Sequence, residues 1–539
     1  MRKLSLCLSI LMLCVTQVNA QSKALSKKEK KIFKEADSYY EYGDYLTAKS
    51  LFMEVYYADS SDSEINFKIG DSHYKLKEYE ESLPFLQEGI SYNKDAKYMI
   101  AKVHLYMDNL KQARLVVKEY MQTINTNFSI YTQKDLNQLL EKINYAEKAM
   151  SNPDVVNIVN LGNAINTENA EYVPLISSDE SILIFTSRRF REGKNEMDPT
   201  GRPFEDIYIS KRTSSGAWSK AIPIPGDVNT PKHDACVGLS PDGQRLFTYK
   251  SHENLIGGDI YESIFQDGEW MRPVRMSANI NNEFSIEPSA SLSLDGKTFY
   301  FSSNREGGFG GFDIYRVKLL PHGEWSLPKN LGPTVNTEYD DDAPFIHPDG
   351  HTLYFSSKGH QNMGGYDVFK TNLIEEEEWS QPENLGYPTN TTKDDIYFVI
   401  SANERHGYYA SDKAGGFGEH DIYMIDYLER SLRQSVVRGN VSDAESGENL
   451  RADISLLELA SAEVSGTYIS KANSGDFIFL VNPDVEYEIM VEVEGYEPFV
   501  EEISFSVDDL IKPQAMEFKL KAVEVEKEVE DEKAIEVEN

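Results

Sequence analysis

Asp206-Ile207-Tyr208, Asp259-Ile260-Tyr261, Asp313-Ile314-Tyr315, Asp367-Val368-Phe369 and Asp421-Ile422-Tyr423 recur at separations of 53, 54, 54 and 54 residues. A repeat that regular fixes the architecture before any single strand does. Turns and alternating apolar runs precede these copies: Pro241-Asp242-Gly243 before Arg245-Leu246-Phe247, Leu294-Asp295-Gly296 before Phe299-Tyr300-Phe301, and Pro348-Asp349-Gly350 before Leu353-Tyr354-Phe355. Asp-Gly makes a hairpin because glycine takes positive φ without steric penalty. The outer copies are degenerate, Ser178-Asp179-Glu180 and Ala402-Asn403-Glu404. After four of the five units comes a tryptophan, at Trp218, Trp270, Trp325 and Trp379, which reads as a fourth strand.

The fifth unit has no tryptophan strand, yet Val156 to Leu161, running into Gly162, matches the ends of the others, compare Asn330-Leu331-Gly332 and Asn384-Leu385-Gly386. Placed beside Asp421-Ile422-Tyr423, that early strand completes a β-propeller over residues 154–428 with five blades, six being the alternative count. Such closure leaves no exposed sheet edge. These repeats resemble the WD-like propeller repeats of the TolB type, a group in which six blades are common.

The repeat carries no recognisable catalytic or cofactor motif. Gly307-Gly308-Phe309-Gly310-Gly311, Gly364-Gly365 and Gly415-Gly416-Phe417-Gly418 are glycine-rich, but they precede strands rather than helix N-termini, so a phosphate-loop reading fails on context. Asp340-Asp341-Asp342 lacks the alternating oxygen ligands and terminal glutamate of a calcium loop. Ser293-Leu294-Asp295-Gly296 only superficially resembles a sialidase box, and there is no Gly-x-Ser-x-Gly elbow or His-Glu-x-x-His helix. His233, His347, His360 and His420 stand singly in loops and read as surface polarity. The expectation is therefore no catalytic residue, no cofactor and no metal, hence not an enzyme. A propeller-based hydrolase or a sugar- or ligand-binding sensor is the alternative.

Ahead of the propeller lies a second repeat. Gly43-Asp44-Tyr45-Leu46-Thr47-Ala48 with Phe52 returns as Lys77-Glu78-Tyr79-Glu80-Glu81-Ser82 with Leu86, 34 residues on, and Asn109-Leu110-Lys111-Gln112-Ala113 with Val117 follows after a further 31. Leu136, Leu139, Leu140 and Ile143 add a helix at the end, and Asn152-Pro153 stops it. Residues 28–150 resemble tetratricopeptide repeats, in which the small residue at Ala48, Ser82 and Ala113 lets paired helices approach closely. The resemblance implies a helical solenoid with a concave binding surface, and Tyr39, Tyr40 and Tyr42, with Tyr56 and Tyr57, are candidates for it.

The remaining segments set compartment and partners. Arg2-Lys3, an apolar run from Leu4 to Val15 and the small Ala20 read as a signal peptide over 1–20, cleaved after Ala20. That run is too short to span a bilayer. Leu13 before Cys14 does not fit a lipidation site, and Cys236 is the only cysteine after the signal, so no intramolecular disulfide is available. Lysine and arginine total 54 against 89 acidic residues, a net charge of −35, which argues against nucleic acid as a partner. Against that background Arg188, Arg189, Arg191, Lys194 and Arg202 form a basic insertion in the first unit, a candidate for steering an acidic partner.

From Val436 the pattern changes to alternating strands such as Phe477-Ile478-Phe479 and Tyr487-Glu488-Ile489-Met490-Val491, which argues for an antiparallel sandwich over 435–522. Its order resembles the carboxypeptidase-regulatory-like, prealbumin-type domain. Residues 523–539 carry eight acidic residues and two lysines and read as a disordered tail. The whole order, multidomain α plus all-β, resembles Bacteroidetes envelope proteins that usually finish with an OmpA-like domain, some of them in type IX secretion and gliding machinery. Nothing OmpA-like follows Lys521, so peptidoglycan binding is not expected. The resemblance implies a periplasmic adaptor, peripheral to the outer membrane, whose partners are envelope proteins of secretion or outer-membrane machinery.

Overall fold

The structure, a computed structural model, describes residues 25–124, 129–191, 193, 196–198, 201–252, 257–266, 268–375, 377–413, 415–427, 434–507, 509 and 514–523. The signal segment, Lys194 and all of the acidic tail beyond Val523 lie outside these residues. The chain divides into two compact units, one running to Leu140 and one continuing from Glu141.

The first unit is helical: α1 Lys27–Tyr42, α2 Tyr45–Tyr56, α3 Ser63–Lys75, α4 Tyr79–Gly89, α5 Ala96–Tyr106, α6 Leu110–Thr123, and the start of α7 Gln133–Met150. Ser26 and Glu29 form a reciprocal capping box on α1, and Gly43 ends that helix in the left-handed conformation at φ 91°. Asp44 and Asp62 cap α2 and α3 by accepting backbone N–H bonds. Ala48, Ser82 and Ala113, the small repeat positions, are all 0 % exposed. Gly70 and Gly89 tighten the α3–α4 crossing further, since a Cβ on Gly70 would stand 2.7 Å from the Leu86 nitrogen.

In the second unit, three consecutive antiparallel strands form each repeat: Glu171–Ile176, Ile182–Ser187 and Asp206–Lys211 in the first; Asp234–Leu239, Arg245–Ser251 and Gly258–Gln266 in the second; Ala290–Leu292, Thr298–Ser303 and Asp313–Lys318 in the third; Asp341–Ile346, Thr352–Ser357 and Asp367–Glu375 in the fourth; Asp395–Ile400, His406–Ser411 and Asp421–Asp426 in the fifth. Asn157–Asn160 pairs antiparallel with Asp421–Asp426, Asn160 opposite Tyr423, and supplies the fifth sheet's outer strand from the other end of the repeat region. Among the described residues no sheet closes on itself. The innermost strands of successive sheets pack against one another in a cycle, and the last packs on the first. Apolar clusters fill the seams, for example Val237, Phe247, Phe299 and Phe301 between the second and third sheets, and Phe185, Tyr208, Tyr408 and Ile422 between the first and fifth. This is a propeller-type arrangement.

The outer strands differ from the sequence expectation. They are short, such as Ile222–Pro223, Val274–Arg275, Lys329–Asn330 and Glu383–Asn384, and they follow the tryptophans rather than contain them. Each tryptophan sits at a hairpin extension of the third strand; Trp379 reaches back to the preceding sheet onto Tyr300 and Trp218 onto Tyr408, while Trp270 and Trp325 pack on Phe265 and Phe299 of their own sheets. A polar clamp repeats at the same seams. The side chains of Asn166, Asn229, Asn281, Asn336 and Asn390 each accept the N–H and donate to the carbonyl of one third-strand residue, Ile422, Ile207, Ile260, Ile314 and Val368 respectively.

The C-terminal strands form a three-stranded sheet facing a four-stranded one around Val437, Phe479, Leu456, Tyr487, Ile489 and Phe518. One pairing corrects the antiparallel expectation: Ser435–Asp443 runs parallel to Gln514–Leu520. Alternation alone cannot report strand direction.

Candidate functional site

Helical periodicity splits the predicted tyrosine face. On α1, Tyr39 and Tyr42 are 39 % and 71 % exposed, whereas Tyr40 points the other way, where its hydroxyl donates to the Asp71 carboxylate and its ring packs on Tyr45 and Phe52. Tyr56 packs on Phe85, and Tyr57 is exposed. Tyr40 begins a stripe that the sequence did not single out. Lys68 on α3 pairs with Asp37 at 2.8 Å and lies 4.0 Å above the Tyr40 ring. Burial raises the Asp71 carboxyl above its usual range, with Tyr40, Lys75 and Lys68 opposing. On α5, Lys102 sits among tyrosines, its ammonium 6.0, 6.0 and 5.5 Å from the ring centres of Tyr74, Tyr98 and Tyr106. Tyr131 stacks on Tyr98 at 3.8 Å. The result is a half-buried surface of rings, cations and one buried carboxylate along α1, α3 and α5. It offers aromatic faces and a cation to a ligand.

The basic insertion is neutralised where it is described. Arg188 bonds Glu205 at 2.6 Å and Asp198 at 3.3 Å, Arg189 reaches Glu171 at 3.2 Å, Arg191 grips Asp206 at 2.6 Å, and Arg202 lies 3.6 Å from Glu419. Tyr172 donates to Glu205 and His233 lies 3.2 Å from it, so its carboxyl is held down at about 2 although burial opposes this. The insertion is thus a knot of opposite charges on the propeller, with Tyr172, Glu205, Arg188, Asp198 and His233 in contact.

The triplet Asp340-Asp341-Asp342 is separated by its strand. Asp340 bonds Lys358 at 2.7 Å, Asp341 accepts from Thr337, and Asp342 accepts from Ser289 and Ser302 of the neighbouring sheet. Asp341 belongs instead to a set of buried carboxylates, Glu171, Asp234, Glu287, Asp341 and Asp395, one at or near the start of each innermost strand. The axis itself is lined by apolar groups such as Val173, Val237, Ala343, Pro344 and Phe345 and encloses only about 30 Å³. Val173, Ala343 and Tyr397 hold positive φ of 51°, 52° and 61° at equivalent bulges there, a conformation that costs a side-chain-bearing residue energy. His347 corrects the reading of surface polarity: it is 2 % exposed. A larger cleft of about 620 Å³ lies between the propeller turns around Asp242 and Asp295 and the strands of the C-terminal sheets around Arg438 and Tyr468.

No family model matches this chain. No curated protein matches it either. Among solved structures, a putative TolB from Agrobacterium tumefaciens is similar over 61 % of this chain and 97 % of its own, at 16 % identity and TM-score 0.30. A glycoside hydrolase is similar over 56 % and 96 %, at 8 % identity and TM-score 0.37. An alpha-L-arabinofuranosidase from Lactobacillus brevis is similar over 50 % and 94 %, at 11 % identity and TM-score 0.31. The expectation that the chain is not an enzyme is corrected: hydrolases stand among these structures, and the propeller-type arrangement of the sheets gives no ground for excluding catalysis. Among the described residues no helix is long and apolar enough to cross a membrane.

Proposed function

We propose that the chain is an exported adaptor of the cell envelope, in which tetratricopeptide repeats hold a segment of a partner protein and a five-bladed propeller with its prealbumin-like companion domain presents further surface. The signal-like leader and the TolB resemblance support a periplasmic placement. The observation that carries the reading is the stripe from Tyr40 to Lys102, where the half-buried Lys102 ammonium sits among the rings of Tyr74, Tyr98 and Tyr106. Such a surface favours an extended peptide bearing carbonyls and a carboxylate, since rings supply contact area at small entropic cost and the cation supplies direction. Partners are sought among outer-membrane and secretion machinery.

The test is crosslinked capture from intact envelopes with full-length wild type, Lys102→Met and Tyr106→Ala. Loss of an anchor worth about 1.4 kcal/mol reduces partner affinity about tenfold, with unchanged circular dichroism and a mature chain starting at Gln21. Equal capture by both variants removes the arm as the binding surface. A second reading, a propeller that binds a small ligand, rests on the charged knot of Arg188, Glu205, Asp198 and His233 beside Tyr172.

A further inference from the structure

The cleft between the propeller and the C-terminal sheets is bounded by contacts that fix its two walls. Lys471 reaches Asp242 at 3.2 Å and Arg438 reaches Asp179 at 2.5 Å, each an ion pair between a C-terminal strand or turn and a propeller turn. Leu294 and Ala402 of the propeller pack with Val436, Ile478 and Leu480 beside it. Between these contacts the walls stand apart around about 620 Å³, a volume within the range of about 300–1,000 Å³ usual for ligand pockets. The turns of the second and third sheets form one wall. Asp242 and Asp295 are equivalent there, each accepting from the serine two residues before it, Ser240 and Ser293, and from a backbone N–H two residues on, Gln244 at 3.1 Å and Lys297 at 3.0 Å. Lys471 completes Asp242, whereas Asp295 and the neighbouring Lys297 ammonium have no ion pair among the described residues.

The facing wall comes from the C-terminal strands. Asp453 stands directly opposite Glu492 across one antiparallel pair, and both line the cleft. Like charges set opposite one another are destabilising, and a ligand group that donates to both offsets that cost. Ser455 and Thr467, opposite each other across the adjoining pair, add two hydroxyls to the same wall. Tyr468 and the half-exposed Ile469 give it apolar surface. Charges of both signs therefore face the space, together with neutral donors and acceptors. An ion of either sign would meet repulsion from part of the lining, and an apolar ligand would strip water from Lys297, Asp453 and Glu492 without replacing its hydrogen bonds. A neutral molecule with many groups that each donate and accept, and with C–H faces between them, suits such a lining.

We propose that this cleft binds a short neutral oligosaccharide, whose hydroxyls donate to Asp295, Asp453 and Glu492 and accept from Lys297, with one sugar face against Tyr468 and Ile469. Hydroxyl groups meet both kinds of partner because each is at once a donor and an acceptor. The ion pairs at Asp242 and Asp179 hold the walls before the sugar arrives, which lowers the ordering cost of binding. This site is separate from the helical arm, so it stands or falls independently of the peptide surface there.

The experiment titrates tag-free full-length protein with maltotriose, cellotriose and chitotriose, and with tetra-alanine as a peptide control, read by saturation-transfer NMR and calorimetry. At least one trisaccharide is expected to bind wild type saturably and more tightly than tetra-alanine. Ser455→Trp, which fills the cleft, and the double variant Lys297→Ala with Glu492→Gln are expected to bind that sugar at least about tenfold more weakly. Circular dichroism checks that both variants are folded. Absence of saturable binding by all three sugars overturns the site, as does a preference for tetra-alanine. Wild-type affinity in Ser455→Trp would place the sugar elsewhere and overturns it equally.

Discussion

Asp341→Asn has a signature that few other effects can imitate. Asp341 is 0 % exposed at the start of its innermost strand, and its Oδ2 accepts the Thr337 N–H at 2.5 Å and the Thr337 hydroxyl at 2.9 Å. Burial pushes its carboxyl up from 3.8 to about 7, with Ser357 and Thr337 opposing. The folded protein therefore binds the proton more tightly than the unfolded chain does, so this group's contribution is fully present below about pH 4 and is lost as pH rises towards 7. At about 1.4 kcal/mol per pH unit, up to about 4 kcal/mol is withdrawn across that window. Asparagine has nearly the shape of the protonated acid, keeps an oxygen for the Thr337 N–H and does not titrate. Urea unfolding followed by the fluorescence of the four tryptophans, all in the propeller repeats, reads the difference between the two proteins. The variant is expected to be close to wild type at pH 4.5 and to gain about 3–4 kcal/mol on it by pH 8. Asp367 and Asp395, raised to about 7 and about 6 by burial, are present in both proteins and cancel in the comparison. Parallel stability curves, or a variant that loses ground as pH rises, would refute the reasoning.

Two further outcomes follow from the seams. Asn336→Ala removes both bonds to Ile314 and leaves its buried N–H unmet, while the carbonyl keeps the Leu331 N–H, which is expected to cost about 1–3 kcal/mol in the same unfolding assay; a loss below about 0.5 kcal/mol would mean that the clamp is replaceable. Deleting 157–160 strips the outer strand from Asp421–Asp426, and hydrogen exchange is expected to quicken in the first, fourth and fifth sheets together, because their seams share apolar clusters; quickening confined to 421–426 would show that closure is not cooperative.

The sequence alone determined the repeat units and the turns between their strands, because both rest on local chemistry. Asp-Gly turns, alternation over five or six residues and the small residues of the helical crossings act within a few residues of where they are read. It also placed the strand at Asn157–Asn160, since that segment keeps the signature of the outer strands it joins. Strand direction, as in the parallel pairing of Ser435–Asp443, and the reach of Trp218 and Trp379 onto preceding sheets were decided by tertiary packing. So were the candidate sites. Tyr39, Tyr40 and Tyr42 look alike in the chain, but helical rotation buries only Tyr40 against Asp71, a residue on another helix. Arg188, Arg189 and Arg191 read as a basic loop until distant carboxylates neutralise them, and three successive aspartates diverge to Lys358, Thr337 and Ser289. Electrostatic partners and burial depend on which repeats become neighbours in space, and only the closed circuit of sheets decides that.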